Sequence, residues 1–108
     1  MTDMQVFFIV LSKGYETKVS GKDFERLNKY KWFVSISRTR NRIRFYARTR
    51  VDGKLTYMHR FLLGATATQE VDHKDGNGLN NTQENLRLCS RSENMMNKPK
   101  HSLKEPIL

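Results

Sequence analysis

Two hydrophobic periods alternate along this chain, and the switches between them mark its elements. Val6 to Leu11 is a short run rich in β-branched and aromatic residues, closed by Ser12-Lys13-Gly14, which predicts a strand and a turn. Glu16 to Val19 is the expected return strand. Ser20-Gly21-Lys22-Asp23 then opens a short helix with Phe24, Leu27 and Tyr30 spaced along one face. So short a helix is marginal alone and needs a sheet to pack against.

From Trp32 the spacing changes to every second residue. Trp32, Val34 and Ile36 alternate with Phe33, Ser35 and Ser37, and Thr39 to Arg42 supplies a turn. Ile43, Phe45, Ala47, Thr49 and Val51 then interleave with Arg42, Arg44, Tyr46, Arg48 and Arg50. Successive strand residues point to opposite faces, so one face is apolar and the other is a comb of arginines holding one tyrosine. Asp52-Gly53 is a strong hairpin signal that pairs Val51 with Lys54, Arg48 with Tyr57 and Tyr46 with His59, bringing Tyr57 and His59 to the arginine face. Phe61 to Gly64 ends this unit, and Ala65 to Gln69 connects it to the next.

Val71-Asp72-His73 reads as the end of a strand, and a glycine- and asparagine-rich loop follows from Asp75 to Asn81. Asn85 to Leu88 is the expected return strand, and Ser90 or Ser92 caps a helix beginning near Arg91. The fold class is therefore α+β. There is no internal repeat, and the residues from Lys98 to Leu108 read as a loose tail.

Charge sharpens this outline. The chain has 108 residues and a formal net charge of +9, with Lys and Arg numbering 20 against 11 Asp and Glu. Nine of those bases and a single acid, Asp52, fall between Lys31 and Arg60, whereas Glu70 to Glu93 is locally acidic. A face of like-charged arginines calls for a polyanion. A charged edge strand can also serve solubility, but mixed signs would serve that better than a run of one sign. The longest apolar run, Val6 to Leu11, is too short to span a bilayer, and no secretory signal pattern opens the chain. Cys89 is the sole cysteine, which excludes an internal disulfide or a Cys-rich zinc site and reads as a small buried hydrophobe. A cytoplasmic protein with no membrane partner and no small-molecule cofactor is expected.

The candidate chemistry lies between Asp72 and Asn97. A ββ-loop-helix arrangement would bring the Asp72 carboxylate and the Asn94 amide together, two oxygen ligands suited to a hard octahedral cation such as Mg²⁺. A histidine beside that ion, His73, would serve as general base for water if something orients its ring. Taken alone, a histidine here is an ordinary turn residue. Asp72-His73, Asp75-Gly76-Asn77, Asn81, Glu84-Asn85-Leu86 and Ser92-Glu93-Asn94 together resemble the HNH endonucleases, of the ββα-metal nuclease superfamily. The closest likeness is to their small phage-encoded and homing type, with Met58 to Leu62 matching as a lead-in strand.

That resemblance implies an N-terminal antiparallel β unit with one short helix, followed by a ββα-metal motif. Residues 1–64 would be a basic DNA-binding unit, 65–97 the nuclease motif and 98–108 the tail. It implies catalytic roles for His73 as general base and Asn85 as the loop-bridging asparagine. One Mg²⁺ or Mn²⁺ ion would be held by Asp72 and Asn94, with Asn97 as the fallback ligand. Double-stranded DNA would be gripped by Arg42, Arg44, Arg48, Arg50, His59, Arg60 and Lys74. The alternative is a non-cleaving DNA-binding protein that retains the fold; a structured-RNA binder would use the same arginines.

Overall fold

A computed structural model of the chain describes residues 5–90. The first hairpin forms as its pattern predicts. Strand β1 (Val6–Val10) pairs antiparallel with β2 (Glu16–Ser20) across a 3-10 turn at Ser12–Gly14. A second 3-10 turn, Gly21–Asp23, leads into helix α1 (Phe24–Leu27), whose Leu27 is fully buried. Ser20 precedes this turn without capping it; its hydroxyl oxygen instead accepts a bond from the Gln83 N–H at 2.8 Å. Trp32 closes the unit by donating from Nε1 to the Leu27 carbonyl, 2.8 Å away.

Strands β3 (Phe33–Arg38), β4 (Ile43–Val51) and β5 (Lys54–Tyr57) form an antiparallel meander. The Asp52-Gly53 turn sets its register: Val51 faces Lys54 and Arg48 faces Tyr57, with both turn residues at positive φ as a type I′ hairpin requires. The expected alternation holds in the second half of β4, where Ala47 and Thr49 are buried on either side of Arg48, but Ile43 at the strand's start is half exposed.

The meander then stops earlier than the alternation suggests. Residues 58–62, expected as a strand, lie in helix α2 (Met58–Leu63). Met58 and Leu62, one helical turn apart, both enter the core, and Gly64 ends the helix in the left-handed conformation that glycine adopts freely. Burying that pair gains more than extending an edge strand over exposed backbone. His59 consequently reaches Tyr46 from a helix rather than from a ladder position.

Strands β6 (Gln69–His73) and β8 (Leu86–Ser90) pair antiparallel, placing Asp72 opposite Arg87 and His73 opposite Leu86. Between them Asn80–Asn81 forms a two-residue strand, β7, that joins β2 in parallel. That short pairing carries the 75–81 loop onto the N-terminal sheet. The core runs through both halves, from Ile9, Val19 and Trp32 to Met58, Leu62 and Leu86. Cys89 is buried, as its type and position predict. Among the described residues no helix is long and apolar enough to cross a membrane. The expected helix from Arg91 and the tail lie outside the described residues.

Candidate functional site

Where β6 ends, a loop reverses the chain beside β4 and α2, and a cavity of about 480 Å³ opens between them. Asp72, His73, His59, Tyr46, Arg42 and Arg44 all border it. Neighbours on a flat strand point apart, yet Asp72 and His73 share this cavity because they stand at the strand's terminus.

The loop is organised by its own side chains. Asp75 accepts from the Asn80 amide at 2.9 Å, from the Asn77 N–H at 2.8 Å and from the Asn85 amide at 3.0 Å. These bonds, the Asn80 one foremost, hold its carboxyl below the usual carboxylate range. Asn85 is buried beneath the loop, donating to the Asn80 carbonyl at 2.8 Å and accepting from the Asp75 N–H at 3.1 Å. The Lys74 N–H donates to the Asn85 carbonyl at 2.8 Å, which ties the residue after His73 to the 3-10 turn that precedes β8.

Gly78 seats this loop on β4. A Cβ there would fall inside contact distance of the Phe45 carbonyl oxygen and 2.8 Å from Tyr46 Cδ1. Only a residue without a side chain lets the two backbones approach this closely.

The ring of His73 has a defined proton arrangement, read from the donors around it. The Thr17 hydroxyl donates to the Leu79 carbonyl at 2.8 Å, so its oxygen is free to accept from Asn81 Nδ2 at 2.9 Å. The same nitrogen faces the Gly78 carbonyl at 3.4 Å. Asn81 therefore turns Oδ1 toward His73, 2.8 Å from Nε2. An amide oxygen only accepts, so Nε2 carries the proton and Nδ1 keeps the lone pair. Asn81, which the sequence marks as a turn former or a brace for the loop, is fully buried and orients the histidine. The Asn80-Asn81 doublet was the available signal, but its burial comes from packing with Thr17 and Met58, far away in the chain.

Four aromatic rings meet at this wall. His59 lies edge-on to His73 with centroids 4.8 Å apart, and Tyr46 and Tyr57 pack against His59 at 5.6 and 5.7 Å. Burial, then the neighbouring His73, then Arg60, lower the His59 pKa from 6.5 to about 4. It is therefore neutral near pH 7.

The remaining predicted residues divide by position. Arg44, Arg48 and Arg50 share one face of β4, and their ladder partners Ser37, Phe33, Tyr57 and Leu55 include no acid. Arg50 also donates to the Gly53 carbonyl at 3.1 Å. Arg60 turns to the connector, donating to the carbonyls of Gln69 at 2.9 Å and Thr66 at 2.7 Å. The Lys74 side chain is exposed at the start of the loop.

Asp72 borders the cavity with a half-exposed side chain, and its carboxylate approaches Arg87 at 3.9 Å, a long, solvent-screened contact. Its oxygens remain open to a hard cation. Among the described residues no three His, Cys, Asp or Glu side chains gather as a metal site. Asn94, the expected second ligand, lies outside the described residues, as does Asn97.

Residues 67–96 match the HNH endonuclease family. An uncharacterized HNH endonuclease of Acanthamoeba polyphaga mimivirus is 33% identical over 113 residues, an alignment that includes 97% of this chain. The chain spans 56% of that relative's length. No solved structure matches significantly.

Proposed function

We propose, from the match of residues 67–96 to the HNH endonuclease family, that the chain is a divalent-metal-dependent DNA endonuclease. The observation that carries this reading is the His73 ring, oriented by Asn81 with its lone pair on Nδ1, beside a cavity that Asp72 and two arginines also border.

His73 is the general base. With Nε2 occupied by Asn81, Nδ1 takes the proton from an attacking water, and the fixed ring lowers the cost of reaching that geometry. Asp72 supplies a carboxylate oxygen for the cation, and Asn94 the amide oxygen. Two oxygen donors favour Mg²⁺ or Mn²⁺ over softer metals. When bound, the ion supplies charge stabilisation for the phosphate and the departing 3′ oxygen. Asn85 holds the loop that fixes the end of β6, which makes it a positioning residue.

Arg42 and Arg44 flank the cavity, and Arg48 and Arg50 continue the same strand face. They grip the phosphates of double-stranded DNA. Lys74 adds charge from the loop. Arg60 acts through the connector that its guanidinium binds.

Plasmid nicking with the wild-type chain, His73→Ala and Asp72→Asn, with Mg²⁺ and with EDTA, tests this. The wild type cuts only with the metal, and both variants lose cutting while binding the plasmid. Binding by all three with cutting by none leaves the non-cleaving DNA-binding alternative.

A further inference from the structure

His59 is an unexplained expense in an otherwise satisfied site. Its Nδ1 is buried with no hydrogen-bond partner among the described residues, a condition that costs stability wherever it occurs. A phenylalanine would fill the same space between Tyr46, Tyr57 and His73 without that cost. What the imidazole offers and a phenyl ring lacks is its other nitrogen.

The burial of Nδ1 decides where the proton sits. An N–H at Nδ1 would have no acceptor, whereas an unprotonated Nδ1 leaves only a lone pair unmet. The proton thus resides on Nε2, which is not among the buried polar atoms, and the ring borders the cavity. His59 and His73 both carry their proton on Nε2, but His73 spends that proton on Asn81 and offers a lone pair. His59 keeps an unspent N–H. Two imidazole rings 4.8 Å apart present a base and a donor to one cavity.

We propose that His59 is a second catalytic residue, donating from Nε2 to a non-bridging oxygen of the phosphate attacked by the water that His73 activates. The substrate is a nucleic-acid phosphodiester. This rests on the nuclease reading above. No proton is transferred by His59; the hydrogen bond strengthens as charge builds on that oxygen. A neutral donor suits this place, because a cation there would repel the metal and compete for Asp72.

Two measurements test it separately. Nitrogen-15 spectra of the histidine rings, recorded on the full chain in EDTA, should show His59 protonated at Nε2, and adding a short DNA duplex should move that resonance. Cutting rates with Mg²⁺ should fall about a hundredfold in kcat for His59→Phe with KM little changed. His59→Gln, whose amide N–H stands near the position of Nε2, should recover part of the loss. A proton found on Nδ1, a resonance unmoved by the duplex, or full-speed cutting by a folded His59→Phe overturns the proposal and leaves the nuclease reading intact. Failure of the wild type to cut with any divalent metal removes that reading, and with it the catalytic role of His59.

Discussion

The Asn81 carboxamide spans two parts of the fold: its oxygen lies 2.8 Å from His73 Nε2, and its nitrogen 2.9 Å from Thr17 Oγ1 on the N-terminal sheet. The orientation of the site's histidine is thus set by a strand some sixty residues earlier in the chain.

Replacing Asn81 with alanine removes the acceptor of the His73 N–H and the amide donor to the buried Thr17 hydroxyl oxygen, which keeps only its own bond to the Leu79 carbonyl. We expect a loss of about 2 kcal/mol in urea unfolding. Cutting should fall by more than about tenfold through kcat, since the ring loses its orientation rather than its substrate. A variant that unfolds more easily but turns over normally would show that Asn81 serves stability alone.

Two glycines of one loop should respond differently to alanine. At Gly78 the new methyl meets the Phe45 carbonyl, so the loop must lift from β4, at a cost of about 3 kcal/mol with loss of cutting. Gly76 has φ of 79° and open space around it, so alanine there strains only the backbone, by about 1 kcal/mol. Thermal unfolding separates the two, since about 1 kcal/mol shifts the midpoint by roughly 4–8 °C in a domain of this size. Equal shifts would contradict the docking of Gly78 on the strand.

Stability should fall with acid because of His59. Its pKa is about 4 in the folded chain against 6.5 unfolded, so the unfolded chain binds the extra proton first. Stability from this group is complete above pH 6.5, declines as pH falls toward 4 and levels off below, by up to about 3 kcal/mol. Urea titrations across that range should show the decline in the wild type and a shallower one in His59→Phe. Parallel curves would place the imidazole in water.

The arginine face should reveal itself through salt. Replacing Arg44 or Arg48 with alanine should weaken DNA binding across unrelated sequences and reduce the slope of log K against log salt by about one per phosphate contact. Arg60→Ala, by freeing the connector carbonyls of Thr66 and Gln69, should lower thermal stability more than it changes that slope. A slope unchanged in Arg44→Ala and Arg48→Ala would remove this face from the interface.

Short-range chemistry made much of this protein legible in its sequence alone. The β4 alternation, the Asp52-Gly53 hairpin and the Asp75-to-Asn85 loop depend on side-chain direction, turn conformation and bonds between near neighbours, all encoded locally. The segment 58–63 was misread because the alternation through Tyr57 looks the same whether or not it continues. Gly64 was the signal for a helix end, and the pull of Met58 and Leu62 into a core assembled from distant strands decided the outcome. The burial of Asn81, the close seat of Gly78 on Phe45 and the meeting of His59 with His73 belong wholly to the tertiary structure. Each joins residues far apart along the chain, and only packing determines which of many compatible residues become neighbours.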